Sequence, residues 1–187
     1  MTLTKTWALP RLLSTATTTP VLRPRRDKDL GACARLLRLV HDESRYPYYW
    51  PSAPRAWLDG PDVLGAWVAD RLGEVLGHVA VARATGTSAY RWREITGREP
   101  RELALVSRLF VRPRVRGEGF GTTLLHLALE EIRSRRLIPV LEVVGVNGPA
   151  VRLFEDAGWT LLATDPWGEK GDRLTIRRYA GPREPRA

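Results

Sequence analysis

The chain has 187 residues, 43% of them hydrophobic and 27% charged, with a net charge of +9. That length suits one domain of ordinary size, and no apolar run approaches the roughly 18 residues of a membrane span. The positive balance points to an acidic partner, whether a phosphorylated cofactor, an anionic substrate or nucleic acid; because Lys5, Lys28 and Lys170 are the only lysines, the arginine excess also fits high-GC coding, and charge alone does not choose among them.

Residues 1–20 carry Lys5 and Arg11 among threonines, without the compact apolar core and cleavage site of a signal peptide, and are expected to form a flexible arm before a domain spanning 21–180. Val21–Arg23 reads as a short strand. Asp27 is placed to cap a helix whose apolar positions Leu30, Cys33, Ala34, Leu37 and Val40 recur at three- and four-residue spacing. Cys33 is the only cysteine; it excludes an internal disulfide, fits a reducing, cytoplasmic setting, and reads as a buried small hydrophobe. The next segment, His41–Pro51, packs three tyrosines, a tryptophan and two prolines into a run that neither helix nor strand would choose. It is an expected aromatic loop, and Asp42, Glu43, Tyr46, Tyr48 and Trp50 are candidates for a substrate-pocket wall. A short helix near Arg55–Leu58 follows.

Gly65–Ala69 and Val75–Ala82 read as an antiparallel hairpin. His78, in its second strand, is either a satisfied core histidine or a group facing the substrate. Arg83–Arg101 is polar and reads as a long connection anchored by Tyr90 and Trp92. Leu103–Val111 is the central strand. A helix over Gly119–Arg136 carries the stripe Phe120, Leu124, Leu125, Ala128, Leu129 and Ile132. Pro139–Val144 is almost continuously apolar, broken by Glu142, as expected inside a sheet. Asn147-Gly148-Pro149 opens a helix that Gly158 ends. Trp159–Ala163 and Arg173–Tyr179 form a closing pair of strands, and residues 181–187 read as a disordered tail.

The stretch Arg116-Gly117-Glu118-Gly119-Phe120-Gly121-Thr122 lies between a strand and a helix, where free backbone N–H groups would make an anion cradle. A P-loop would end in Gly-Lys-Ser/Thr, and this loop has no lysine. A dinucleotide fingerprint needs Gly-x-Gly-x-x-Gly; the spacing here is Gly-x-Gly-x-Gly. Glu142 does follow at about the 20-residue distance of a ribose-binding acid, but in mid-strand, and the antiparallel hairpins argue against a doubly wound sheet.

The run from Leu109 to Leu125 closely resembles the acetyl-CoA signature of the GNAT superfamily of N-acetyltransferases, Arg/Gln-x-x-Gly-x-Gly/Ala, here Arg116-x-x-Gly119-x-Gly121. Asn147, Ala150, Leu153, Phe154, Glu155, Gly158 and Trp159 are similar to a second segment of that family. The resemblance spans about Val21 to Tyr179. It implies an α/β (α+β) fold: a central mixed, mostly antiparallel sheet of about six to seven strands, flanked by about four helices and splayed at the cofactor site. It implies acetyl-CoA (coenzyme A) as cofactor, with the pyrophosphate against Arg116, Gly117, Glu118, Gly119, Phe120, Gly121 and Thr122. The pantetheine would run along Leu109, Phe110 and Val111, with Asn147, Ala150 and Phe154 close by.

The implied reaction is direct acetyl transfer to a primary amine of a small molecule or peptide, which needs a base for the ammonium and an acid for the departing thiolate. The tyrosine acid common in the family falls at Phe154, and the usual glutamate position at Leu105. Glu142 and Ser107 are therefore the expected catalytic groups, with His78, Asp42, Glu43 and Tyr46 as further candidates; no metal is expected. Phe154 and Leu105 also motivate an acyl-CoA-binding regulatory module without turnover. The basic charge alone motivates an aminoacyl-tRNA acetyltransferase. Exposed edges in this fold often pair, so a homodimer is a further expectation.

Overall fold

Seven short apolar segments pair into one sheet of order β1-β2-β3-β4-β5-β7-β6 in the computed structural model, which describes residues 19–169 and 172–182. The expected arm as far as residue 18 and the expected tail from residue 183 lie outside the described residues. The strands are β1 (Val21–Pro24), β2 (Val63–Arg71), β3 (Glu74–Ala82), β4 (Leu103–Val111), β5 (Ile138–Val144), β6 (Thr160–Trp167) and β7 (Leu174–Ala180). Only β4 and β5 pair in parallel. Between them runs helix α4 (Phe120–Ser134), the crossover that a parallel pair requires. The mixed, mostly antiparallel sheet is the one the resemblance implies.

Alternation along the strands assigns the two faces. Ala104 and Val106 of β4, with Leu141 and Val143 of β5, pack under Leu124, Leu125, Ala128, Leu129 and Ile132 of α4. Each buried valine, leucine or isoleucine among them is worth about 1.5–3 kcal/mol. Elsewhere Cys33, Leu36, Leu37 and Val40 of α1 (Leu30–Ser44) and Leu58 of α2 (Pro54–Leu58) cover Val68, Val75 and Phe110. Helix α5 (Gly148–Asp156) packs Val151 and Phe154 onto the α4 side of the core.

Three expectations are corrected. Asp27 does not cap α1: a 3-10 turn over Asp27–Asp29 comes first. The Asp29 carboxylate accepts the Arg26 N–H at 2.7 Å and two Arg23 donors at 2.6 and 2.9 Å. The Arg23 bonds hold its carboxyl down at about 2. Second, His41–Ser44 belongs to the last turn of α1, which stops where Arg45 turns left-handed at φ 56°; the aromatic loop begins only there. Third, Arg83–Arg101 is not one long connection, because it contains α3 (Gly86–Thr96). Its helix propensity is unremarkable, but Trp92 is fully buried against Ala84, Leu103, Leu105 and Val140, and packing overrides propensity. Gly97, at φ 66°, ends it. Five helices are thus described where about four were expected, and β6 runs to Trp167, past the expected Ala163.

Candidate active site

The site starts from an interrupted strand pair. β4 and β5 are in register from Leu103–Ile138 to Val106–Leu141 and no further. Just beyond, β4 bulges against β3: Ser107 faces Ala80 and Phe110 faces His78, so Arg108 and Leu109 together occupy the space opposite Val79. Arg108 adopts φ 51°, which costs about 1–2 kcal/mol for a non-glycine residue. Its side chain offsets this: Nε donates to the Trp57 carbonyl at 2.6 Å, Nη2 donates to Asp62 at 3.0 Å, and the guanidinium lies 5.2 Å over the Trp57 ring. Meanwhile Glu142–Val144 pair with β7 alone. The β5-facing backbone of Ser107–Val111 therefore has no ladder partner, and its donors and acceptors are open to a ligand.

At one end of this split lies the glycine loop. Gly117 and Gly119 adopt φ 84° and 86°, a region costly for side-chain-bearing residues. A Cβ at either would meet nothing within 4 Å, so the space above them is empty of protein. The first α4 bond runs from the Thr123 N–H to the Gly119 carbonyl at 3.0 Å, so the N–H groups of Phe120, Gly121 and Thr122 precede it and point outward. With the helix dipole they favour an anion. Arg116 overhangs the loop, donating to Glu43 at 2.8 Å and Ser44 at 3.3 Å. A hollow of about 390 Å³ joins these groups to Leu109, Phe110 and Val111.

At the other end is a larger cavity of about 810 Å³. Tyr46, Leu109, Asn147, Ala150 and Phe154 line both spaces, which therefore adjoin. Tyr46, Tyr48, Tyr49, Trp57, Phe154 and Trp167 are among the residues that line the larger one. Tyr48 lies edge-on to Tyr49 and Trp167, with centroids 5.1 and 6.0 Å away. The Tyr49 hydroxyl donates to Asp172 and accepts the Glu169 N–H at 2.9 Å, so the β6–β7 turn and the aromatic loop close this side together. Tyr46 packs near Trp57 and Phe110 at the junction. Burial pushes its phenol well above the ordinary range and keeps it protonated.

The expected site residues divide. Glu142, Ser107, Tyr46 and Tyr48 line the larger cavity, as does Leu105. Glu142 Oε1 accepts from the Ser88 hydroxyl at 2.8 Å and from Arg178 Nε at 3.0 Å. Phe154 is buried among Trp159 and Tyr179. Asp42, Glu43, Trp50 and His78 do not line the larger cavity. Asp42 pairs with Arg38, Glu43 reaches over the glycine loop to Arg116, and Trp50 packs against His41 under the Arg38 guanidinium.

His78 is fully buried, stacked on Phe110 at 5.0 Å. Its Nδ1 lies 2.8 Å from the Arg108 carbonyl, which can only accept, and Arg25 Nη1 stands 3.4 Å from Nε2. Nδ1 thus carries the proton, and burial drops the ring to about 3. It is a core histidine. Tyr49, Trp57 and Trp167 line the cavity without having been singled out. Trp167 lies between the two expected closing strands, on the part of β6 that runs past Ala163.

Residues 33–159 match the acetyltransferase (GNAT) family. The chain is 37% identical over 119 residues to a mycothiol acetyltransferase of Acidothermus cellulolyticus, covering 62% of this chain and 35% of that protein, so it spans about a third of that relative's length. The fold is similar to that of the ribosomal-protein-S18-alanine N-acetyltransferase of Escherichia coli, with TM-score 0.64 and 16% identity over 88% of this chain and 94% of that one. It is also similar to a Salmonella typhimurium protein solved with its cofactor acetyl-CoA, with TM-score 0.67 and 20% identity over 91% and 97% of the two chains.

Proposed function

The chain belongs to the acetyltransferase (GNAT) family, and from that premise we propose that it transfers acetyl groups from acetyl-CoA to a primary amine carried on an apolar or aromatic body. The observation that carries the reading is the split between β4 and β5, with an anion cradle at one end and an aromatic cavity at the other. The names of the two enzymes above do not agree on an acceptor, so the acceptor is argued from the cavity: Tyr48, Tyr49, Trp57 and Trp167 offer ring faces and edges to an apolar body, and Glu142 offers a carboxylate to its ammonium. A small amine or the amine of a peptide meets this description. A cytoplasmic setting belongs to the same reading, supported by the single, buried Cys33.

The cradle fits the donor. Gly117 and Gly119 leave room above the backbone, and Phe120, Gly121 and Thr122 would give N–H groups to a pyrophosphate, with Arg116 adding charge. The unpaired edge of Leu109–Val111 would take the pantetheine amides, near Asn147 and Ala150. Bound there, acetyl-CoA supplies an acyl group activated as a thioester. The chain's own residues then manage two protons. Glu142 takes one from the acceptor ammonium, freeing the amine lone pair, with Ser107 able to pass it through water. The Tyr46 phenol, at the junction of the two spaces, would give a proton to the departing sulfur and regain the second proton that the nitrogen loses as the amide forms, although burial raises this phenol and makes it a weak donor. An N–H on the open β4 edge would be available to stabilise charge on the acyl oxygen.

The test is an acetyl-CoA titration by calorimetry, followed by thiol release across a panel of tyramine, straight-chain alkylamines, amino sugars and peptides with free N-termini. Binding of acetyl-CoA, with faster turnover of the aromatic amines, is expected; Glu142→Gln should lower kcat about 100-fold and leave acetyl-CoA affinity intact. No acetyl-CoA binding would sink the reading. The hydrocarbon of Leu105 and Phe154 at the two positions named above favours a second reading, an acyl-CoA-binding module, which acetyl-CoA binding without turnover of any amine would support.

A further inference from the structure

One chain of charges reaches the cavity from outside the elements that form it. Glu142 on β5 lies directly opposite Arg178 on β7. Arg178 is buried and stands between two carboxylates: its Nε donates to Glu142 Oε1 at 3.0 Å and its Nη1 donates to Asp165 Oδ2 on β6. Asp165 in turn takes both arms of Arg91 on α3, Nε at 3.0 Å and Nη2 at 2.8 Å. The signs alternate, Arg91 positive, Asp165 negative, Arg178 positive, Glu142 negative, and at its outer end Arg91 also donates to the exposed Glu94 at 3.2 Å. Arg178 is shared, so Glu142 does not have that cation to itself.

The free end of the chain is a single oxygen. Both bonds to Glu142, from Ser88 at 2.8 Å and from Arg178, end on Oε1. Oε2 has no partner among the described residues, and Glu142 lines the larger cavity. Ser88, Arg91 and Trp92 are three and four residues apart and so share one face of α3. The fully buried Trp92 is packed against Leu105 and Val140, on the two strands that form the split. Burying that one indole seats the helix, and the seat places Ser88 over β5 and Arg91 over β6.

We propose that α3 is part of the catalytic apparatus: Ser88 and Arg178, backed by Asp165 and Arg91, are positioning residues that clamp Oε1 of Glu142 so that Oε2 faces the acceptor ammonium. This rests on the reading of Glu142 as the group that receives that proton. Two bonds on one oxygen fix the plane and rotamer of the carboxylate. The other oxygen is left as the acceptor, at a place set by helix, strand and hairpin together. Arg178 needs the forked geometry of a guanidinium to hold Glu142 and Asp165 at once, which an ammonium on a single stem does not supply.

The experiment compares wild type, Glu142→Gln, Ser88→Ala, Ser88→Thr and Arg178→Lys, using the fastest amine of the panel. It measures kcat, KM for each substrate, acetyl-CoA affinity and melting temperature. Ser88→Ala and Arg178→Lys are expected to lower kcat roughly ten- to a hundred-fold, because a displaced reacting group is costly. Acetyl-CoA affinity and KM should stay near wild type, the melting temperature of Ser88→Ala should stay within a few degrees, and Ser88→Thr should restore kcat. Wild-type kcat in Ser88→Ala beside an impaired Glu142→Gln overturns the clamp and leaves the base standing. Undiminished kcat in Glu142→Gln overturns both. A kcat loss in Ser88→Ala that Ser88→Thr fails to restore, together with a lowered melting temperature, makes Ser88 structural and also overturns the clamp.

Discussion

A histidine sealed in the core ties stability to pH. The buried His78 ring stays neutral down to about 3, whereas an unfolded histidine takes a proton near 6.5. Below 6.5 the unfolded chain therefore binds the extra proton, and stability must fall as pH drops from 6.5 toward 3, by up to about 1.4 kcal/mol per pH unit. Urea unfolding between pH 7 and pH 4 should show this slope, and His78→Gln should flatten it. Two glycines make a contrasting pair. Gly119→Ala forces a side chain into φ 86° and should cost about 1–2 kcal/mol as well as acetyl-CoA affinity. A Cβ at Gly121 would sit at an ordinary 3.5 Å from Leu153, so Gly121→Ala should leave the melting temperature nearly unchanged and weaken acetyl-CoA alone. The glycines were legible in the sequence because their need is local. The roles of Ser88 and Arg178 were not, because each meets Glu142 across a large gap in sequence that only the closed sheet removes.

Among the elements, the strands announced themselves through apolar runs, and α4 through its stripe. Helix α3 did not, because only Ala89 and Trp92 join the core there while Tyr90 is exposed and Ile95 stays outside that cluster; two such positions do not make a periodic pattern. The aromatic loop was visible as a loop, but which of its rings enter the cavity depends on the left-handed turn at Arg45. If one indole seats α3, Trp92→Ala should destabilise by about 3–5 kcal/mol. At temperatures where the variant remains folded it should also lose activity, because Ser88 and Arg91 ride on the same helix. Denaturation and steady-state kinetics on one preparation would show the two losses together.

Across the whole molecule, the two halves of the site are held by contacts that do no chemistry. Tyr49 fastens the β6–β7 turn to the aromatic loop through Asp172 and Glu169. Tyr49→Phe removes only that hydroxyl and should raise KM for the acceptor several-fold with KM for acetyl-CoA unchanged. On the donor side, Arg116 rests on Glu43, an exposed pair of the kind worth about 0.2–1 kcal/mol. Glu43→Gln would leave the guanidinium its Ser44 bond but no ion pair, and calorimetry at low salt should find acetyl-CoA binding tightened by at most a few-fold.

The strand pair that stops at Val106 and Leu141 has a consequence for how the protein behaves in solution. A sheet cut halfway leaves amide hydrogens exposed to exchange in the middle of an otherwise slow-exchanging core. A donor lying in the gap would serve as the missing strand, so those amides of residues 107–111 that face β5, and not those bonded to β3, should exchange quickly in the free protein and slowly in the complex. Heat resistance would then depend on ligand concentration, with the folded state gaining about 2.7 kcal/mol at a hundred times the dissociation constant. The fold and its substrate would together make one continuous hydrogen-bonded body, which each turnover opens and closes again.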